Sequence, residues 1–274
     1  EDGAAPFLKH NLCQETWRRL RLSFPDCIAA VLMPNHLHLL VAAPKSRDTL
    51  AFKLSHCLPL SQWLPVPPPQ PVPDLHHLKR QIRYVHLNPC RKELCVDPLA
   101  WEWSTHRDYI GAVTYPWPRT LSQLHTLGFA GSLRGATAFH KYVSADPSVH
   151  PLGSSPPSPQ GAITPHVFRL DEICRAAELI TRAPRGAFQR KGRRRAQLMR
   201  LLTGSLGIPA VKVAHHFGVN RSSSLAVRPD RQQRLDPRWL GPLLMTLQDQ
   251  RLLNPASPGG KATNVAFPAV IAAQ

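Results

Sequence analysis

The residues best suited to chemistry are two histidines, His36 and His38, in the run Val31-Leu32-Met33-Pro34-Asn35-His36-Leu37-His38-Leu39-Leu40-Val41. In an extended segment alternate side chains share a face, so the two imidazoles stand side by side while Leu37, Leu39 and Val41 point into a core. Such a pair suits a divalent metal whose remaining positions are filled by a third side chain and a phosphate oxygen. Two histidines on the solvated face of a strand are also common, and spacing alone favours that plainer reading. Further along, Asp74-Leu75-His76-His77-Leu78-Lys79-Arg80-Gln81-Ile82-Arg83-Tyr84-Val85-His86-Leu87-Asn88-Pro89 carries a second set. There Tyr84 and Asn88 lie one helical turn apart, away from the apolar stripe Leu75, Leu78, Ile82 and Val85. A lone tyrosine on the polar side of a helix is ordinarily a surface residue, so it gains meaning only beside the histidines.

These residues need elements to hold them. Residues 7–24, with Phe7, Leu8, Leu12, Trp17, Leu20 and Phe24 near helical spacing, predict an amphipathic helix ended by Pro25-Asp26. Cys27–Met33 predicts a short apolar strand, interrupted at Pro34-Asn35 and resumed over His36–Ala42, which places the histidines just after a bend. After Pro44 the pattern is poor. Residues 58–73 hold seven prolines, which excludes helix and central strand and predicts an extended, stiff surface connection. Asp74 then caps a helix that Pro89 should stop by disfavouring helical geometry at Asn88. Phe139, Tyr142 and Val143 suggest one more helix within 112–145.

The rest reads as a second module. Residues 144–165 have linker composition, with six prolines among serines and glycines. Residues 166–250 look helical, beginning with a stripe of Phe168, Ile173, Ala176, Ala177 and Ile180. A basic block follows, with Arg190, Lys191, Arg193, Arg194 and Arg195, suited to sequence-independent phosphate contacts. Ala214 followed by Gly218 matches a helix-turn-helix, which would aim Arg221, Ser222 and Ser223 at phosphates or base edges. An ordinary helical hairpin is the alternative. Residues 251–274 read as a flexible tail.

Composition narrows the partner. With 34 Lys+Arg against 17 Asp+Glu the 274-residue chain carries a formal charge of +17 and a pI near 10.4, which points to a polyanion, nucleic acid first. No apolar run approaches the roughly 20 residues needed to span a bilayer. The N-terminus lacks the plan of a signal peptide, and the six cysteines form no Cys-x-x-Cys pair, so a cytoplasmic, nucleoid-associated protein with reduced, structural cysteines is expected.

Three stretches, Leu32–Val41, Arg83-Tyr84-Val85-His86-Leu87-Asn88-Pro89-Cys90-Arg91 and Trp101-Glu102-Trp103-Ser104-Thr105-His106, taken in order, resemble the REP-associated tyrosine transposases. These belong to the single-tyrosine HUH transposases, the insertion-sequence 200-like group. The resemblance spans roughly residues 27–110. It implies an α+β domain over 1–143 with a ferredoxin-like antiparallel sheet, interrupted by the proline-rich 58–73 and without the family's first strand. It implies that His36, His38 and Asn88 bind Mg or Mn, and that Tyr84 attacks single-stranded, hairpin-bearing DNA, leaving a 5′-phosphotyrosine. A monomer is implied over a dimer. The helical region over 166–250 is similar to the trihelical DNA-binding domain of the bacterial replication initiator. His86 lies about 200° around the helix from Tyr84 and is given no role as its base. Two other readings stay open: a domesticated DNA-binding protein that no longer cuts, and an RNA-binding protein, which a shortage of paired aromatics on the strands disfavours.

Overall fold

The computed structural model describes residues 7, 9–42, 46–58, 68–153, 155–156, 168–220, 238–253 and 271–273. The chain is mixed α+β and mostly helical. Its described residues form two compact units, one holding those up to Gly111 with 116–156 and 271–273, the other 112–115 and 168–253.

In the first unit helix α1 (His10–Ser23) leads into strands β1 (Cys27–Leu32) and β2 (Leu37–Val41). The strands pair antiparallel from Cys27↔Val41 to Leu32↔Leu37, with Val31 opposite His38 and an irregularity between Cys27 and Ala29. Pro34-Asn35 forms the bend, closed by the Met33 N–H donating to the His36 carbonyl at 2.8 Å. Both faces of this hairpin are buried: alongside Leu37, Leu39, Leu40 and Val41, His36 and His38 are themselves nearly inaccessible. The histidines therefore do not lie on a solvated face.

The poorly patterned stretch after Pro44 holds helix α2 (Arg47–Cys57). Its signals were present. The Ser46 hydroxyl caps it by accepting the Thr49 N–H at 3.1 Å, and Leu50, Leu54 and Cys57 make its buried stripe. Of the proline-rich 58–73, residues 59–67 lie outside the described residues, and Gln70–Pro71 form a two-residue strand, β3. Ile271–Ala273 form β4, which pairs parallel with β2 on one side and with β3 on the other. Within the expected tail, Arg251–Leu253 belong to a helix and 254–270 and 274 lie outside the described residues.

Helix α3 runs from Leu75 to Arg91, capped by Asp74, whose side chain accepts the His77 N–H at 2.8 Å. Pro89 does not stop it at Asn88. A proline this close to the end removes one hydrogen bond, and the last turn is held by the Lys92 N–H on the Asn88 carbonyl and the Leu94 N–H on the Pro89 carbonyl. Leu78, Ile82 and Val85 are buried as expected, whereas Leu75 is exposed.

The segment 101–105 forms an edge along β1. The Leu32 N–H donates to the Trp103 carbonyl at 2.8 Å, the Thr105 N–H to the Ala30 carbonyl at 2.9 Å, and Ser104 bridges Val31. Helices α4 (His106–Ile110), α5 (Thr120–Thr126) and α6 (Leu133–Ser144) complete the unit, so 112–145 holds more helix than expected.

The second unit contains α7 (Leu170–Ile180), α8 (Arg193–Arg200), a wide turn at Leu201–Ser205, α9 (Ala210–His216), α10 (Leu240–Gln248) and α11 (Gln250–Leu253). Gly218, at φ 60°, ends α9, with the Val219 N–H returning to the Ala214 carbonyl at 3.0 Å. Arg221, Ser222 and Ser223, and with them the second helix of the expected helix-turn-helix, lie outside the described residues, as does most of the expected linker beyond Pro156.

A chain of buried polar bonds joins α3 to β1, α4 and α6. The Ala30 N–H donates to the Thr105 hydroxyl at 2.9 Å, and that hydroxyl lies 2.9 Å from His86 Nε2. His86 Nδ1 lies 3.3 Å from His106 Nδ1, His106 Nε2 lies 2.9 Å from His140 Nδ1, and His140 Nε2 lies 3.3 Å from the Gly153 carbonyl. A carbonyl only accepts, so His140 Nε2 carries a proton there. Each ring then donates onward in turn, and His86 Nε2 is left to accept from Thr105. Replacing Thr105 with Val strips this chain of its hydroxyl while keeping the side-chain volume. It is expected to destabilise the unit by about 3 kcal/mol in chemical denaturation, since the Ala30 N–H and His86 Nε2 both lose a partner.

Burial holds His86 down to about 3 and His106 well below its ordinary value. In the unfolded chain each takes its proton near pH ~6.5. Below that pH the unfolded chain binds protons that the folded chain refuses, so stability falls on acidification. At pH ~5 the loss from His86 alone is on the order of 2 kcal/mol. Thermal unfolding followed between pH ~7.5 and ~5 should show that decline, and a flat profile would contradict a neutral buried chain.

Candidate active site

The β1–β2 bend and the end of α3 bring His36, His38, Tyr84 and Asn88 together. His36 Nε2 and His38 Nε2 are 3.1 Å apart. The Asn88 amide nitrogen lies 3.0 Å from His38 Nε2, and the rings of His38 and Tyr84 meet edge to face at 5.6 Å. Tyr84 is the exposed member, at 36 % of its surface, while His36, His38 and Asn88 are buried. The Tyr84 phenol is thus open to solvent above a closed polar floor.

The hydrogen-bond arithmetic of that floor does not balance with the Asn88 amide as it stands. His36 Nδ1 lies 2.7 Å from the Asn35 amide oxygen, which can only accept, so the proton of the neutral ring is on Nδ1 and Nε2 presents a lone pair. If His38 Nε2 accepts from Asn88, two lone pairs face each other across 3.1 Å. If His38 Nε2 carries the proton, it meets the Asn88 NH₂ group donor to donor. Meanwhile Asn88 Oδ1 is buried with no hydrogen-bond partner. Turning the amide over would bring that oxygen toward the two imidazoles.

With the amide turned over, a proton on His38 Nε2 meets acceptors in both His36 and Asn88; a cation between the three groups is the other arrangement that pairs them. Two nitrogens bound at right angles to one metal, each about 2.1 Å from it, stand about 3 Å apart, close to the separation seen here. Burial pushes His36 down to about 4 and His38 to about 3, with Lys92 adding to both and His36 to His38. Both rings are therefore neutral at physiological pH. Among the described residues no three His, Cys, Asp or Glu side chains form a metal-binding group; beside the two histidines the nearest oxygen donor is the Asn88 amide. The set fits a divalent cation, and its nitrogen content suits Mn better than Mg. No carboxylate stands among these three groups.

One arginine packs on the tyrosine and shares a carboxylate with a second. The Arg91 guanidinium sits 4.8 Å from the Tyr84 ring centroid and binds Asp146 at 2.8 Å. Arg83 is 3.6 Å from the same carboxylate and stacks on Tyr142 at 4.7 Å. Sequence reasoning assigned no role to Arg91, Lys92 or Asp146. For Arg91 a signal existed: seven residues beyond Tyr84 it returns to the same helical face. Reading Pro89 as a helix stop concealed it. His86, given no role at Tyr84, instead faces Thr105 and His106.

Of the basic block, Arg190, Lys191, Arg193 and Arg194 are exposed, with Arg193, Arg194 and Arg195 opening α8. Comparison with family models, curated proteins and solved structures gives no match.

Replacing Asn88 with Leu removes the orphaned oxygen. Stability is expected to hold or to rise by up to about 1 kcal/mol, while Mn(II) binding, read by electron paramagnetic resonance of the free ion, weakens at least about tenfold. A loss of several kcal/mol with unchanged Mn(II) binding would make Asn88 structural instead.

Proposed function

We propose that this chain is a REP-associated tyrosine transposase of the single-tyrosine HUH type, a metal-dependent nuclease and strand transferase acting on single-stranded, hairpin-bearing DNA. The observation that carries the reading is the convergence of two neutral imidazole lone pairs and an orphaned amide oxygen beneath an exposed tyrosine. The resemblance of the three sequence stretches supplies the chemistry, and the charge of +17 supplies the polyanionic partner.

A phenol with an ordinary pKa near about 10 is a weak nucleophile, and a phosphodiester repels an approaching anion. A divalent cation held by His36, His38 and Asn88 would withdraw charge from the phosphate and orient it. Tyr84 attacks phosphorus through its hydroxyl oxygen, forming a phosphotyrosine ester as the bond to the departing 3′-oxygen breaks. That oxygen leaves as a 3′-hydroxyl after taking a proton. The new ester keeps the bond energy, so a later 3′-hydroxyl can reverse the step and join strands. Arg91 holds the phenol ring from one face, and Asp146 holds Arg91. The second unit, with its basic α8, holds the DNA or selects the site. The DNA is held by a monomer in this reading.

The small sheet, an antiparallel hairpin extended by short pieces, favours one other reading: a domesticated DNA-binding descendant that does not cut. The two part on one assay. With Mn(II) or Mg(II) and labelled single strands bearing hairpins, the native chain is expected to form a denaturation-stable covalent adduct, and Tyr84→Phe to form none. Salt-sensitive binding without an adduct on any hairpin, in either metal, would leave the non-cutting reading standing. Replacing Arg193, Arg194 and Arg195 together with Ala should lower the slope of log affinity against log salt by about 2 on a single strand.

A further inference from the structure

Beneath the same helix end lies a pair of groups that the proposed reaction does not use. Cys90 and Cys95 are both buried, and their sulfurs are 3.7 Å apart. The contact follows from the way α3 ends. After Lys92 the backbone enters the left-handed region at Glu93, φ 56°, and the Leu94 N–H returns to the Pro89 carbonyl at 2.9 Å, which folds the chain back over Cys90. None of the other four cysteines shares a hydrogen-bond contact with this pair.

We propose that Cys90 and Cys95 are a redox-modification site that closes to a disulfide under a small peroxide. Closure would shorten the sulfur separation from 3.7 Å to about 2.05 Å, a movement within reach of side-chain rotation and a slight tightening of the turn. One thiol attacks the peroxide oxygen, giving a sulfenic acid and one water. The other thiol then displaces hydroxide from that sulfur, and a second water leaves. Two thiols are oxidised, one peroxide is reduced, and a dithiol reductant reverses the change. The ring so formed encloses Arg91, stacked on Tyr84, and Lys92, which bears on both histidines. The thiols' oxidation state thereby sets how firmly the cations beside the site are held. The hydrogen bond between the two sulfurs, and then burial, keep Cys90 protonated and its reaction slow, so the agent has to be small and uncharged. The inference does not rest on Tyr84 being a nucleophile.

The chain itself offers a clean readout. Trypsin cuts after Arg91 and Lys92, between the two cysteines, so reduced protein yields Tyr84–Arg91 and Glu93–Arg107 as separate peptides with one cysteine each. The folded full-length chain is treated with hydrogen peroxide, its remaining thiols are alkylated under denaturing conditions, and it is digested without reductant. The expected result is those two peptides joined by a disulfide, lost on dithiothreitol treatment and absent from Cys95→Ser, while the other cysteines stay alkylated. Amide exchange over residues 89–96 should slow several-fold in the oxidised chain. Alkylation of both Cys90 and Cys95 after the other thiols have oxidised would overturn the proposal, as would pairing of either one with a different cysteine. Unchanged exchange in a chain that does form the bond would overturn the tightening of the loop. Since the mapping reads sulfur alone, it returns an answer even if no DNA adduct is ever found.

Discussion

One buried hydroxyl determines where the tyrosine stands relative to the histidines. Thr105 accepts the Ala30 N–H of β1 and contacts His86 of α3, both at 2.9 Å. The hairpin and the helix are thereby tied through a group that has no freedom to shift without leaving a buried donor or acceptor unpaired. His86 lies two residues from Tyr84 and two from Asn88. Anchoring it therefore sets the rotation of α3 about its axis, which decides whether Asn88 faces the imidazoles. The histidine relay through His106 to His140 extends the anchor to α4 and α6. A dry polar chain is costly unless every member is paired, and an order of donors from His140 to Thr105 pairs them all.

The site above this anchor is built on the opposite principle. In the relay every lone pair has its donor. At the hairpin, with the Asn88 amide as it stands, two imidazole lone pairs, or else two donors, confront each other, and an amide oxygen has no partner. Such a mismatch lowers stability, and its placement beneath an exposed tyrosine is what a binding site for a cation would produce. Charge points the same way. Arg91 packs on Tyr84, Asp146 is shared between Arg91 and Arg83, and Lys92 bears on both histidines, so the surroundings favour an anion.

Several of these features were readable in the one-dimensional pattern. The alternation around His36 and His38, the bend at Pro34-Asn35 and the Asp74 cap rest on local rules of strand, turn and helix, and the structure follows them. Two errors were also local. Ser46, Leu50, Leu54 and Cys57 mark helix α2 in the sequence, but a short stripe with so little polar contrast around it is weak as a periodicity. Pro89 was taken for a terminator because the rule for the residue before proline was given more weight than it carries one turn from a helix end. That second error hid Arg91.

By itself the sequence determined the types of residue available for chemistry, the one-turn spacing of Tyr84 and Asn88, the pairing of the histidines and the excess of positive charge, all of which are local or additive. Tertiary structure alone decided that both faces of the hairpin are buried, that Asn35 sets the tautomer of His36, and that Asp146 holds Arg91 from 55 residues away. It alone brought Thr105 to His86 and Cys95 back onto Cys90. Periodicity along a chain reports which face a residue takes. The lone pair or proton that it meets there depends on atoms delivered by a different element, and on distances of a few tenths of an ångström that packing sets.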